Sequence, residues 1–236
     1  MELYNGIISD VNEKVAGLAT AQWDYDATDS WENLARSELI MQSEQAFELG
    51  GSGCPSANFT CVTTTEGLVP KDEVILCGKD LPNLCGDVSF ARVVLLAVED
   101  IGDEDAAYSA IQQMDFVRYH VHPKGYMVRV SAESNQERVR VSKTAITDGI
   151  SFKTIGNTYI KAYKENASIK NVRIIFLTDQ SIAFELNKTA NKVYDITNAL
   201  SHILDGLDLD CASCNLKPVC DEVEGMREMH LGKKRK

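Results

Sequence analysis

Cys211, Cys214 and Cys220 stand near the end of the chain at C-x2-C-x5-C spacing, after a long helical stretch. Two sulfurs separated by two residues converge on one ion or cluster, and a third, five residues on, closes over the same centre. Pro218 stiffens that return, because its fixed φ favours a turn over further helix. The trio reads as a metal or iron–sulfur ligand set; buried small hydrophobes, or a disulfide plus a free thiol, are the bland alternative. A fourth donor is needed, either His230 or one of Cys54, Cys61, Cys77 and Cys85. Cys61 and Cys77 fall in predicted strands and Cys85 beside a turn. Cys54 follows Gly51-Ser52-Gly53, whose backbone freedom lets a loop reach a distant partner, so Cys54 is the expected ligand.

Other residues carry chemistry of a less specific kind. Arg118, Arg129, Arg138, Arg140 and Lys143 gather positive charge in an acidic chain, at strand ends where open α/β sheets place ligands. They suit a phosphate-bearing partner, although ordinary pairing with the many carboxylates is the better explanation. His120 and His122 share one face of a predicted strand, an i, i+2 spacing that suits a metal or a cationic rim beside Arg118 and Lys124. Asp221, Glu222 and Glu224 make either hydrogen-bonding neighbours for a cluster or a solvated acidic turn. No nucleophile–His–acid order, P-loop or Rossmann glycine fingerprint is present, and no general acid or base can be named. Gly149 and Gly156 read as a helix C-cap and a close-packing position.

The elements that must position these residues alternate between two periodicities. Leu3, Ile7, Ile8, Val11, Val15 and Leu18 predict a helix from about Glu2 to Thr20, and Trp23 to Asn33 reads as an acidic, aromatic, solvated connector. Strands are predicted at Phe59 to Thr63, Val74 to Cys77, Ala91 to Val98, Phe116 to Val121, Tyr126 to Val130, Arg138 to Val141 and Val172 to Leu177. The uninterrupted apolar character of Ala91 to Val98 predicts a strand covered on both faces. Helices follow at Asp103 to Met114, after the caps Ser142 and Ser151, and from Ile182 to about Leu204. The pattern predicts an α/β fold, a mixed sheet flanked by helices with a C-terminal cysteine-rich metal-binding segment. It divides into an N-terminal helix and connector over 1–46, an α/β domain over 47–206 and the Cys-rich segment over 207–236.

The chain has 236 residues, enough to bury a sizeable core, and a formal charge of −11. That balance opposes non-specific nucleic-acid binding, which needs a basic surface. Lys233-Lys234-Arg235-Lys236 is the one basic run and reads as a solvated tail. No leader opens the chain and no apolar run reaches spanning length, so a cytoplasmic protein without a membrane partner is expected. Seven Cys, three of them in ligand-like spacing, fit reduced thiols better than a disulfide framework.

Two resemblances sharpen these expectations. A similar Cys triplet with a distant upstream Cys occurs in the iron–sulfur staple of RecB-like and CRISPR-associated exonucleases, which favours a [4Fe–4S] cluster over zinc. The acidic balance makes a nuclease the most distant reading. More of the chain is similar to the central α/β domain of the β subunit of CO dehydrogenase/acetyl-CoA synthase. The matching residues are Val139-Arg-Val-Ser-Lys-Thr-Ala-Ile-Thr-Asp-Gly149, Ser151-Phe-Lys-Thr-Ile-Gly156, Val172-Arg-Ile-Ile-Phe-Leu-Thr-Asp179 and Glu48-Leu49-Gly50-Gly51. The ending Cys-x2-Cys-x5-Cys-Asp-Glu-Val-Glu-Gly resembles that of short stand-alone relatives. The similarity runs from about Val93 onward and is faint before Phe47. It implies an accessory role in acetyl-CoA and one-carbon metabolism, with CO dehydrogenase/acetyl-CoA synthase or corrinoid-protein subunits as partners and coenzyme A as the phosphate-bearing ligand of the arginines. The family's nickel-bearing A-cluster relies on a Cys-x-Cys pair in a further domain, and no Cys-x-Cys occurs here. The expectation is therefore a relative lacking that centre.

Overall fold

The computed structural model describes residues 4–51, 53–99, 104–130 and 136–205, so Cys211, Cys214, Cys220, His230 and the whole segment 207–236 lie outside the described residues. Strands β1 (Ala21–Asp24), β3 (Ser56–Thr63), β4 (Glu73–Cys77), β5 (Phe90–Val98) and β8 (Ile169–Leu177) form a five-stranded sheet, while β2 (Gln45–Leu49), β6 (Tyr126–Val130) and β7 (Glu137–Ser142) form a smaller one. The large sheet is ordered β1-β4-β8-β5-β3 and is mixed: β3 is parallel to β5 and β4 to β8, whereas β5–β8 and β1–β4 are antiparallel. The small sheet is antiparallel in the order β2-β7-β6. With its flanking helices the architecture is α/β.

The strands read as apolar runs because both faces of the large sheet are covered. One face receives α1 (Asn5–Ala16), through Ile7, Ile8, Val11 and Val15, and α5 (Gln180–Asp205), through Leu186, Ala190, Val193 and Ile196. Beneath them lie Phe59, Cys61, Ile75, Cys77, Val93, Leu95, Ile175 and Leu177. The opposite face receives α4 (Phe152–Tyr163) and the small sheet, and joins them in a second core with Val74, Leu76, Val94, Ile174 and Phe176. A capping box between Ser151 and Thr154 starts α4. Gly156 lets that helix close on the sheet, since a Cβ there would stand 2.4 Å from Val74 Cγ2. Ser142 caps the short α3 (Lys143–Thr147), and Gly149, at φ +91°, follows its C-terminus.

Two sequence expectations change. Phe116 to Val121 is not a strand. Phe116 ends α2 (Glu104–Phe116) and Val117–Tyr119 tighten into a 3-10 turn, so Phe116 packs in tilted contact with Tyr119 and His120 at ring separations of 5.5 and 4.9 Å. These are the i, i+3 and i, i+4 neighbours of a helical surface, whose aromatic content imitates strand composition. The stretch from Trp23 to Asn33 is not simply a solvated link either. Its start belongs to β1, and beyond that Trp31 N–H donates to Thr154 O and Asn157 donates to Asp29 O, which ties the segment along α4. The residues of 1–46 thus supply both a strand and a helix to the main core.

Candidate functional site

Four of the thiols can be placed. Cys61 in β3 and Cys77 at the end of β4 are buried beneath α1 and α5. Loss of hydration, reinforced by Asp179, pushes the Cys77 thiol up to about 11, and burial with a smaller push from Asp115 raises Cys61 further. Both are protonated apolar fillers at neutral pH, unlike a ligating thiolate. Cys54 is half-buried and Cys85 exposed, on the turns ahead of β3 and β5, and all four are unbridged. Among the described residues no group of three or more His, Cys, Asp or Glu is arranged to hold a metal.

Helix α5 leads away from Cys54. Asn187 donates to Ser56 O at 2.8 Å, which sets this part of the helix beside the start of β3 and close to Cys54. Thr197 meets Tyr4, next to Asn5, whose side chain accepts from Thr63 at the far end of β3. From Asn187 to Asp205 the helix therefore travels the length of the sheet, about 27 Å at roughly 1.5 Å per residue, away from Cys54. The C-terminal trio itself lies outside the described residues.

Three of the five predicted cationic ligands share one surface. Arg129 on β6 stands directly opposite Arg138 on β7, and Arg140 follows on the same outer face of the small sheet. One carboxylate serves two of them: Glu48 Oε2 accepts from Arg140 Nε at 3.1 Å, and its Oε1 lies 3.8 Å from Arg129. Arg138 is exposed and has no ion-pair partner among the described residues. Lys143 stands apart and donates to Ser43 O. Arg118 points the other way, inward, to Asn58 of β3. His120 and His122 do not share a strand face: His120 packs on Phe116, and the partly buried His122 has its pKa lowered by desolvation and by the nearby His120.

Arg118 leads to a constellation that the sequence reading missed. Arg92 in β5 is 1% exposed, flanked in the sheet by Asn58 and Phe176 on its two neighbouring strands. Its Nη2 donates to Glu137 Oε2 at 2.5 Å, joining the large sheet to the small one, and Glu137 is itself fully buried. The Tyr159 ring lies under the guanidinium at 4.5 Å, and Tyr163 and Tyr126 complete the surround. Burial alone disfavours the charged guanidinium, but Glu137 and the three phenolic oxygens more than offset it and raise the Arg92 pKa. Desolvation pushes Tyr159 up to about 12 and raises Tyr126 and Tyr163 as well, so all three stay neutral.

The polar atoms here are incompletely matched. Arg92 Nε and Nη1, Arg118 Nε, Glu137 Oε1, Thr60 Oγ1 and the hydroxyls of Tyr126, Tyr159 and Tyr163 are buried without a hydrogen-bond partner. All belong to this one neighbourhood. The signal in the sequence was a charged residue inside the apolar run Ala91 to Val98, since an arginine is almost never fully buried without a reason.

No helix among the described residues is long and apolar enough to cross a membrane. No protein-family model matches the chain, and no curated protein matches it significantly.

Proposed function

We propose that this chain is an iron–sulfur protein, accessory to acetyl-CoA and one-carbon metabolism, in which Cys211, Cys214 and Cys220 hold a [4Fe–4S] cluster. The C-x2-C-x5-C spacing carries the reading. Support comes from the contrast among thiols: Cys61 and Cys77 are occupied as core residues, which leaves the C-terminal trio, Cys54 and Cys85 for ligation. The resemblance to the β subunit of CO dehydrogenase/acetyl-CoA synthase supplies the metabolic setting and the proposed partners, that enzyme or a corrinoid-protein subunit. The trio would supply thiolate ligation and an electron-transfer or assembly role. Protein purified without oxygen is then brown, with broad visible absorption that bleaches on reduction, and Cys211→Ser, Cys214→Ser and Cys220→Ser each abolish the colour. A colourless preparation with stoichiometric zinc replaces the cluster by a structural zinc site.

A second reading rests on a separate observation, the outer face of the small sheet, where two of three neighbouring arginines share one carboxylate and the third, Arg138, is exposed without one. Such a face suits the phosphates of coenzyme A. Calorimetry should show saturable binding that Arg138→Gln weakens; no heat at millimolar coenzyme A removes this reading.

A further inference from the structure

We infer that the buried cluster of Arg92, Arg118, Glu137, Tyr126, Tyr159, Tyr163 and Thr60 is a binding site for a small oxyanion, a carboxylate or phosphate group, separate from both sites proposed above. Its unmatched atoms carry the argument. Three of them, Arg92 Nε and Nη1 and Arg118 Nε, can donate but never accept, and four are hydroxyls able to donate, of which Tyr159 lies against Arg92 and Tyr163 against Thr60 without forming a well-aligned hydrogen bond. One, Glu137 Oε1, is purely an acceptor. A donor-rich interior is completed by an acceptor-rich occupant, and planar guanidinium groups match carboxylate and phosphate oxygens.

Charge points the same way. Glu137 neutralises Arg92 within the cluster, but the counter-ion of Arg118 is Asp115, 35% exposed and 2.9 Å away, whose charge water screens. The four charges balance, but the carboxylate that balances Arg118 lies towards solvent and not inside the cluster. Arg118, 10% exposed and lying against the Tyr119 ring at 4.8 Å, stands at the margin where a small anion can enter. Native interiors rarely leave several polar atoms unmatched in one place, and the exceptions concentrate where function requires them.

The test uses the full chain, with thermal unfolding and calorimetry in sodium acetate or sodium phosphate against sodium chloride of equal ionic strength. Acetate or phosphate is expected to raise the unfolding temperature saturably, and which one does so separates a carboxylate ligand from a phosphoryl one. Arg118→Gln, at the margin, and Tyr159→Phe, which removes only an unmatched hydroxyl, should each weaken binding at least tenfold while the protein still folds. Lys188→Gln, exposed on α5 at the opposite face of the large sheet, should leave it unchanged. The inference fails if neither anion acts beyond chloride, so that the cluster holds water alone. It fails equally if binding survives unaltered in Tyr159→Phe and Arg118→Gln.

Discussion

The two faces of the large sheet each bury an arginine–glutamate pair, and the pairs are built differently. On the face beneath α1, Arg173 brings Nε and Nη2 to 2.6 Å from one oxygen of Glu73, and its Nη1 donates to Asn12 at 2.5 Å. The second Glu73 oxygen accepts from Gln22 and lies 3.4 Å from Lys71. On the face beneath α4, Arg92 and Glu137 meet through one contact, and each keeps buried polar atoms unmatched. A buried pair stabilises a fold only when the remaining lone pairs and protons find partners. The first pair meets that condition and acts as structure; the second does not, and the surplus polarity marks the face where a ligand would act.

Removing one member should expose the difference most strongly. Arg92→Met leaves Glu137 buried with no counter-charge and is expected to cost about 3–5 kcal/mol in urea unfolding, with Arg92→Met/Glu137→Leu recovering most of it. Arg173→Met leaves Glu73 with Gln22 and Lys71, so about 1.5–3 kcal/mol is expected. If the two single variants lose equal stability, the pairs are energetically alike and the comparison collapses.

A backbone substitution tests the same region at smaller cost. Gly50 has φ +65°, and a Cβ there would lie 2.5 Å from the Glu137 carbonyl oxygen and 2.6 Å from Ser56 Cβ. Gly50→Ala should lose about 2–3 kcal/mol, combining left-handed strain with a clash against the strand that carries Glu137. Gly53, at φ +80° with open space around it, pays only the strain, about 1 kcal/mol. Equal losses would show that the approach of Gly50 to Glu137 is not tight.

Much of this contrast lay beyond the reach of the sequence. Ala91 to Val98, Val74 to Cys77 and Val172 to Leu177 were legible because strands covered on both faces are uniformly apolar. The helix after Ser151 was legible from its cap and spacing. β1 and β2 were not, being short with polar residues on the outer side. Phe116 to Val121 misled because exposed rings on a helical end have the composition of a strand. Arg92 advertises a buried charge, but nothing local names Glu137, which reaches it from another sheet. The acceptor of Arg118 is equally distant, Asn58 of β3, so grouping the cations by sequence set it with Arg129 and Arg140 on a face it does not share.

Alkaline pH should separate the faces in sequence. The Cys77 thiol is held up to about 11 in the folded chain against 9.0 for an ordinary thiol, so the unfolded chain gives up its proton first. Its contribution is complete below about 9 and falls as pH rises towards 11. Tyr159, held up to about 12 against 10.0, follows the same sign one unit later. Urea midpoints should fall continuously from about pH 9 upward, with a shallower fall in Cys77→Ala and a shallower one still in Cys61→Ala/Cys77→Ala. A fall between about pH 9 and 10 that the double variant leaves in place would deny the thiol face its part.

The smallest expected effect discriminates most finely. Tyr4, on the α1 and α5 side, shares a 3.2 Å hydrogen bond with Thr197, so Tyr4→Phe removes a made bond and should cost about 0.5–1.5 kcal/mol. Tyr163→Phe, on the other side, removes a hydroxyl that lies near Thr60 without a well-aligned hydrogen bond, and relieving a poorly matched buried group should leave stability unchanged or slightly raised. Both changes delete one oxygen from a tyrosine buried to within 1% of full exclusion, so the transfer of apolar surface is held nearly constant and the hydrogen bond is what differs. Paired urea titrations at neutral pH in chloride, without acetate or phosphate, read the difference directly. A loss at Tyr163 as large as that at Tyr4 would mean that its hydroxyl is already matched in solution, and the second face would then be as well satisfied as the first.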